Sequence, residues 1–268
     1  MYNGKRVSLV ITSSRRWHLL ERVLRAFCIF CRDFELLDDV LFFDDSSSPE
    51  DKERMENLLG DLFLDKSVYV THFVKESFND GYRHSRVLNS VRDKLIQTES
   101  GYFFLLEDDY LFVDFFSFLP GLDLLCQVPS CAYVSYYQAM KKFPSDQQPE
   151  ICNHGGVDFW KWPYREDLPL NCNLFYDDVG SIQTLIPGFW ITMINWPSFS
   201  LRPGIHDAVK FLSIGEFSTD YDIINMRTEL EFSLRWVKKW STYCHEKFMV
   251  INLGWDQTNN AYTLNESN

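Results

Sequence analysis

The chain has 268 residues, 46% hydrophobic and 16% aromatic, which excludes a disordered protein, a collagen-like repeat and a small disulfide scaffold. Its 26 Lys and Arg against 38 Asp and Glu give a net charge of -12, which disfavours electrostatic binding of nucleic acid. The length suits one large α/β domain or two small ones. We expect no transmembrane segment, because no apolar run approaches the roughly 20 residues that a membrane helix needs.

The seven cysteines are odd in number and scattered, a pattern typical of a reducing compartment. Cys28 and Cys31 form a C-x-x-C pair, but the pair lies within an apolar helical pattern and no second pair completes a zinc site. We therefore interpret both as core cysteines and expect a cytoplasmic protein.

Strand and helix patterns alternate through the first half of the chain. The predicted strands are 7–11, 40–43, 67–74 and 102–106, and the predicted helices are 17–30, 50–59 and 82–97. This alternation indicates right-handed crossovers and a mostly parallel sheet with helices on its faces.

Polar residues follow three of these strands at the point where each strand ends. They are 12–15 after the first strand, Asp44 and Asp45 after the second, and 107–109 after the fourth. Ligands of open α/β sheets bind beyond the carboxyl ends of the strands, so we expect these groups to converge on one functional edge.

The second half of the sequence differs from the first in composition and in hydrophobic periodicity. Residues 143–178 are rich in Pro, Trp, Asn and Asp with little periodicity, and we interpret them as loops over a binding face. A strand-like run at 182–194, a helix at 228–240 and a final strand at 248–253 follow.

Three consecutive carboxylates, Glu107, Asp108 and Asp109, end a buried strand. Clustered like charges are costly unless a cation neutralises them. Oxygen ligands suit Mg²⁺ or Mn²⁺, which bind through one or two carboxylates together with substrate phosphates. The alternative interpretation is a solvated acidic turn.

The ordered motifs VSLVITSSRR, LFFDDSSSPED, NDGYRHSR and FFLLEDDYLF resemble the nucleotide-sugar-binding half of GT-A glycosyltransferases, most of all the broad family 2 type. The segments PGFW at 187–190 and TELEFSLRW at 228–236 resemble later parts of the same pattern. The resemblance implies an α/β GT-A (Rossmann-like) fold, with a mostly parallel central sheet flanked by helices and a loop-rich second half. It implies one domain over 1–268, with a nucleotide-sugar-binding half at 1–113 and an acceptor-binding half at 114–268.

The resemblance also assigns roles to individual residues. The nucleotide-sugar-binding positions it implies are Thr12, Ser13, Arg15, Asp44, Asn79, Gly81, Arg86, Glu107, Asp108 and Gly188. Among them, Asp44 would accept a hydrogen bond from the base. Asp109 would be the direct metal ligand, and Asp256 would stand where the family often has a histidine after the last strand.

Two residues are candidates for the catalytic base. Glu229 aligns with the base of the family, and Glu231 lies two residues further on. Positions two apart on a helix point to different faces, so only one of them can face the sugar. We prefer Glu229.

The aromatic stretch at 159–164 has two interpretations. Its rings could stack on the C–H faces of an acceptor sugar, or they could fill the core of an aromatic-rich protein. The acceptor-binding candidates are Trp160, Trp162 and Trp190.

The function implied is a metal-dependent inverting glycosyltransferase. It would use Mn²⁺ or Mg²⁺ to move a sugar from a UDP, GDP or dTDP sugar to a hydroxyl of a glycan or glycoconjugate. A catalytically silent nucleotide-sugar or glycan-binding protein is one alternative. A sugar nucleotidyltransferase is another, although it would need a glycine-rich first loop, and ITSSRRW contains no glycine.

Overall fold

The computed structural model describes residues 1–74, 83–137, 150–162, 199–219 and 225–253. The elements up to the acidic triplet are β1 (Arg6–Ser13), α1 (Trp17–Phe30), β2 (Asp39–Asp45), α2 (Pro49–Leu62), β3 (Ser67–Phe73), α3 (Arg83–Gln97) and β4 (Ser100–Glu107). The later elements are β5 (Tyr110–Phe112), α4 (Leu119–Gln127), β6 (Cys131–Ser135), β7 (Ile151–His154), β8 (Val157–Lys161), β9 (Gly204–Asp207), α5 (Ala208–Leu212), α6 (Asn225–Val237), β10 (Ser241–His245) and β11 (Val250–Asn252).

One large sheet contains strands from both halves of the chain. Its order is β3-β2-β1-β4-β9-β6-β10-β8-β7. The first four strands are mutually parallel, as the alternating pattern predicts, whereas β9 is antiparallel to both of its neighbours. The parallel central strands and flanking helices confirm the predicted α/β class.

Two apolar clusters cover the two faces of this sheet. Alternate residues of β1 point to opposite sides, so Leu9 packs with α1, α2 and α4, while Val10 packs with α3, α5 and α6. The result is a three-layer arrangement of helices, sheet and helices.

Helices α1 and α2 begin in different ways. At α2, Ser48 accepts a hydrogen bond from Asp51 N at 3.1 Å and Pro49 takes the first helical position, and both residue types are common signals for the start of a helix. At α1, the N-cap residue is Arg16, and its side chain caps nothing. The Arg16 guanidinium instead forms ion pairs with Asp108 and Asp109.

Strand β9 was not predicted. It inserts between β4 and β6, where an added Cβ on Gly204 would lie 2.4 Å from the Val134 carbonyl oxygen, so no larger residue fits there. The strand-like run expected at 182–194 lies outside the described residues.

The prediction of loops across 143–178 was wrong for the part that the structure describes. Strands β7 and β8 form a hairpin there, and Gly155 and Gly156 in its turn have φ of 60° and 77°. A pair of consecutive glycines favours a tight hairpin turn because such a turn requires positive φ, and this pair was visible in the sequence. The final predicted strand exists as β11, but it pairs with β5 rather than with the large sheet.

Among the described residues, no helix combines the length and the apolar composition that a bilayer crossing requires. Burial raises the pKa of the Cys28 thiol to about 11, and Cys31 is buried. This environment favours the core interpretation of the C-x-x-C pair over a reactive one.

We predict that Phe104→Ala will lower the free energy of unfolding by about 3–5 kcal/mol, the usual cost of removing a fully buried ring. Phe104 is 0% exposed and its ring contacts those of Phe27 and Phe116. Urea denaturation measures the loss. Phe115→Ala is the matched control: Phe115 is 49% exposed, and we expect it to cost less than about 1 kcal/mol. Equal losses would contradict this account of the core.

Candidate functional site

The acidic triplet forms the turn between β4 and β5, at the carboxyl edge of the parallel strands. Asp108 is completely buried, while Glu107 and Asp109 are partly exposed. The turn is fixed to its neighbours by the backbone, since Asp108 N donates to Thr12 O and Leu253 N donates to Asp109 O. The predicted convergence of polar groups on this edge is therefore present.

Asp108 holds the loop that follows β1. Its Oδ2 accepts hydrogen bonds from Ser13 Oγ at 2.8 Å and from Ser14 N at 3.0 Å, and both of its oxygens contact the Arg16 guanidinium. Burial raises the pKa of Asp108 to about 6, against the opposing effects of Arg16 and these hydrogen bonds. With these partners, Asp108 serves the architecture of the site.

Arg16 also reaches the next carboxylate. Its Nη1 lies 3.0 Å from Asp109 Oδ2, so one guanidinium bridges two consecutive aspartates. Burial alone would lower the pKa of Arg16, but attraction from Asp108, Asp109 and Glu107 outweighs it and the pKa is raised. Asp109 Oδ1, in contrast, is buried with no hydrogen-bond partner within the described ranges.

The Glu107 carboxyl group is also shifted by its surroundings. Burial, and then repulsion from Asp109 and Glu229, raise its pKa well above 4.5. The effect of Glu229 shows that helix α6 brings a carboxylate to the acidic turn from a distant part of the sequence. Glu107, Asp109 and Glu229 together make this edge strongly acidic.

The two candidate bases have different environments. Glu229 accepts a hydrogen bond from Leu201 N at 3.1 Å, and burial raises its pKa. Glu231 points elsewhere and forms an ion pair with Arg235 at 2.9 Å, one helical turn away. The geometry therefore favours Glu229 as the residue that faces the acidic turn.

The loops after β1 and β2 are joined by hydrogen bonds. Arg15 N donates to Ser47 Oγ at 3.1 Å, and Arg15 Nε donates to Ser46 O at 3.2 Å. Arg15 and Ser46 have φ of 56° and 67°, a left-handed conformation that is uncommon outside glycine. The two strained positions hold each other in place beside the site.

Asp44 has a different setting from the one expected. It is fully buried, and its carboxylate accepts hydrogen bonds from Ser47 and lies 3.0 Å from His72 Nδ1. Its contact with a base remains a prediction, and the oxygens concerned already have partners. The adjacent Asp45 is only half-buried at the same edge.

Arg86 and the two tryptophans, Trp160 and Trp162, contact aromatic rings. The Arg86 guanidinium stacks 5.1 Å from the Phe73 ring centroid, which keeps it near the end of β3. Trp160 is 5% exposed and stacks on Trp162, which is half-buried. Of these two rings, Trp162 offers more surface to an acceptor. The other predicted positions lie outside the described residues: Asn79, Gly81, Gly188, Trp190 and Asp256.

The carboxylate oxygens of the acidic turn are the possible ligands for a divalent cation. In the part of the chain that the structure describes, no group of three or more His, Cys, Asp or Glu side chains is arranged to hold a metal ion. Asp109 nevertheless carries a buried oxygen without a hydrogen-bond partner there, next to Glu107. These groups fit an ion held by one or two carboxylates that takes its other ligands from a substrate phosphate.

Sequence reasoning missed two arginines of this site. Arg16 was assigned no role from the sequence, although it is buried between Asp108 and Asp109. Arg202 is close enough to lower the pKa of Glu229, and its guanidinium lies 4.9 Å from the Tyr137 ring centroid. The apolar residues at the start of α1 were a signal that Arg16 is buried. No nearby residue in the sequence indicated that Asp108 and Asp109 are its partners.

No protein-family model matches the sequence, and no curated protein matches it. Solved structures do resemble the fold. The mannosyltransferase PcManGT from Pyrobaculum calidifontis, in complex with GDP-Man and Mn²⁺, has 12% identity and a TM-score of 0.54 over 97% of this chain. TarS 1–349 from S. aureus, in complex with UDP, has 9% identity and a TM-score of 0.53 over 91% of this chain.

The chain spans about three-fifths of these neighbours, 60% of PcManGT and 59% of TarS 1–349. At identities of 12% and 9%, the similarity between this chain and these neighbours is a similarity of fold alone. The chain thus has the GT-A fold that the ordered motifs imply, and its acidic turn lies at the carboxyl edge of the parallel strands.

We predict that Glu107→Gln will make stability less dependent on pH when EDTA is present. The folded chain binds the Glu107 proton more strongly than the unfolded chain, so the contribution of Glu107 to the free energy of unfolding falls as pH rises above 4.5. The variant lacks this titration, and its free energy of unfolding should fall less between about pH 5 and 8. Urea denaturation across this range measures both slopes.

The comparison variant for this prediction is Asp108→Asn. It also removes a carboxyl group with a raised pKa, but it breaks the buried pair with Arg16 and should cost about 3 kcal/mol. A Glu107→Gln variant as unstable as Asp108→Asn would show that Glu107 has a stabilising partner.

Proposed function

We propose that this chain is a glycosyltransferase that moves a sugar from a nucleoside diphosphate sugar to an acceptor hydroxyl with inversion. The observation that carries the proposal is the approach of Glu229 to Glu107, within the acidic turn at the carboxyl edge of a GT-A sheet. The acidic turn would serve the leaving diphosphate, and Glu229 would serve the attacking hydroxyl.

The donor would lie along the joined loops after β1 and β2, where Thr12, Arg15 and the half-buried Asp45 line the edge. Asp109 Oδ1 and Glu107 would hold a divalent cation, either Mn²⁺ or Mg²⁺. When bound, such an ion acts as a Lewis acid that neutralises the diphosphate leaving group. The GDP-Man, UDP and Mn²⁺ of the structural neighbours support this choice of donor class and metal.

Glu229 would be the general base. Burial raises its pKa, which makes its carboxylate a stronger proton acceptor than an exposed glutamate. The Leu201 N–H holds the carboxylate and the charge of Arg202 favours its ionised form, so it would be oriented toward a hydroxyl on the face of the sugar opposite the diphosphate. Attack from that face gives inversion at the anomeric carbon, by analogy with inverting hydrolysis.

The acceptor would be a glycan or glycoconjugate that contacts Trp162, with Trp190 as a second candidate. We also propose that the chain acts as a single domain, since strands from both halves share one sheet. From the cysteine pattern we propose a reducing compartment such as the cytoplasm.

We predict that UDP or GDP, with Mn²⁺, will stabilise the chain against thermal unfolding. A ligand at about 100 times its Kd adds about 2.7 kcal/mol, a shift of several degrees for a domain of this size. Asp109→Asn should abolish the metal-dependent part of the shift. Asp114→Asn is the control, because Asp114 is exposed and pairs with Lys247. No shift with any of UDP, GDP or dTDP would contradict the donor site.

We predict that Glu229→Gln will lower kcat for sugar transfer by about 100-fold or more, with donor binding retained, because the variant cannot accept the proton. Glu231→Gln should lower kcat less than about tenfold, since Glu231 pairs with Arg235. Transfer is followed by mass spectrometry of acceptor arrays. The reverse order would make Glu231 the base, and donor binding without turnover on any acceptor would favour a silent binding protein.

A further inference from the structure

The Arg16 guanidinium lies where a cation of the acidic turn would be expected. It contacts both oxygens of Asp108, through Nε at 3.3 Å and through Nη2, and its Nη1 contacts Asp109 Oδ2 at 3.0 Å. Its side chain is 10% exposed. An internal positive charge thus already contacts one of the two carboxylates assigned to the metal.

The two halves of this bridge differ in strength. Asp108 is 0% exposed and has further donors in Ser13 and Ser14, so its pair with Arg16 is buried. The Asp109 side chain is 15% exposed, and only one of its oxygens faces Arg16. The contact between Arg16 and Asp109 can therefore open while the contact with Asp108 persists.

We propose that Arg16 competes with the divalent cation for Asp109 and keeps the affinity for the free ion low until a diphosphate is bound. This inference rests on the proposed function, because it takes Asp109 as a metal ligand. A diphosphate supplies phosphate oxygens for the ion and also an acceptor for the released Nη1, since guanidinium groups bind phosphate well. Cation and nucleotide would then bind cooperatively, each raising the affinity for the other.

The test is a titration of the intact chain with Mn²⁺ alone, in which the electron paramagnetic resonance signal of the free ion gives the bound fraction. We expect Arg16→Gln to bind Mn²⁺ about tenfold or more tightly than the wild type, because a competing charge has gone. We expect UDP or GDP to strengthen Mn²⁺ binding less in this variant than in the wild type, after correction for binding to the nucleotide in solution.

A second variant covers the case in which Arg16→Gln does not fold because Asp108 is left buried without a cation. The double variant Arg16→Gln, Asp108→Asn removes one charge of each sign, so the formal charge of the turn is unchanged and Asp109 Oδ2 is released from Arg16. Tighter Mn²⁺ binding here supports competition for Asp109 itself. Arg25→Gln is the control, because Arg25 is exposed on α1 and pairs with Glu21.

The outcomes separate this inference from the proposed function. If Asp109→Asn abolishes Mn²⁺ binding while both Arg16 variants bind it no more tightly than the wild type, the competition is wrong and the metal site stands. If no variant binds Mn²⁺, with or without nucleotide, both the metal site and this inference are overturned.

Discussion

The geometry of the site depends on the bridge from Arg16 to Asp108 and Asp109. This bridge joins the N-cap residue of α1 to the turn after β4, and the hydrogen bonds from Ser13 and Ser14 complete the connection. A buried pair of this kind is costly to form but more costly to break, because removal of either partner leaves an unpaired charge. The adjacent strand ends are therefore held in one arrangement.

The site also depends on the large sheet, which brings the two halves of the chain together. Strand β9 lies antiparallel between β4 and β6, and this insertion places the second half beside the four parallel strands of the first half. Helix α6 packs against α3 on the same face, where Thr228 lies 3.1 Å from Ser85 between their hydroxyl oxygens. Glu229 follows directly after this contact, and its approach to Glu107 is a consequence of the packing.

Much of the first half could be predicted because its signals are local. The apolar period of α1 and the start signals of α2 lie within a few residues of each other, and the structure confirms both. The strand ends with their polar residues were equally visible. In the second half, β9 and the hairpin of β7 and β8 are short strands whose pairing depends on distant partners, so periodicity alone did not find them.

The sequence by itself determined the alternation of strands and helices, the acidic turn and the order of motifs that implies a GT-A fold. Only the tertiary structure decided which carboxylate is enclosed, which one has an oxygen without a hydrogen-bond partner among the described residues, and which glutamate faces the turn. The physical reason is that burial and ion pairing join residues far apart in the chain, such as Arg16 and Asp108, which are 92 positions apart. Three adjacent carboxylates look alike in a sequence, and their partners in space give them different roles.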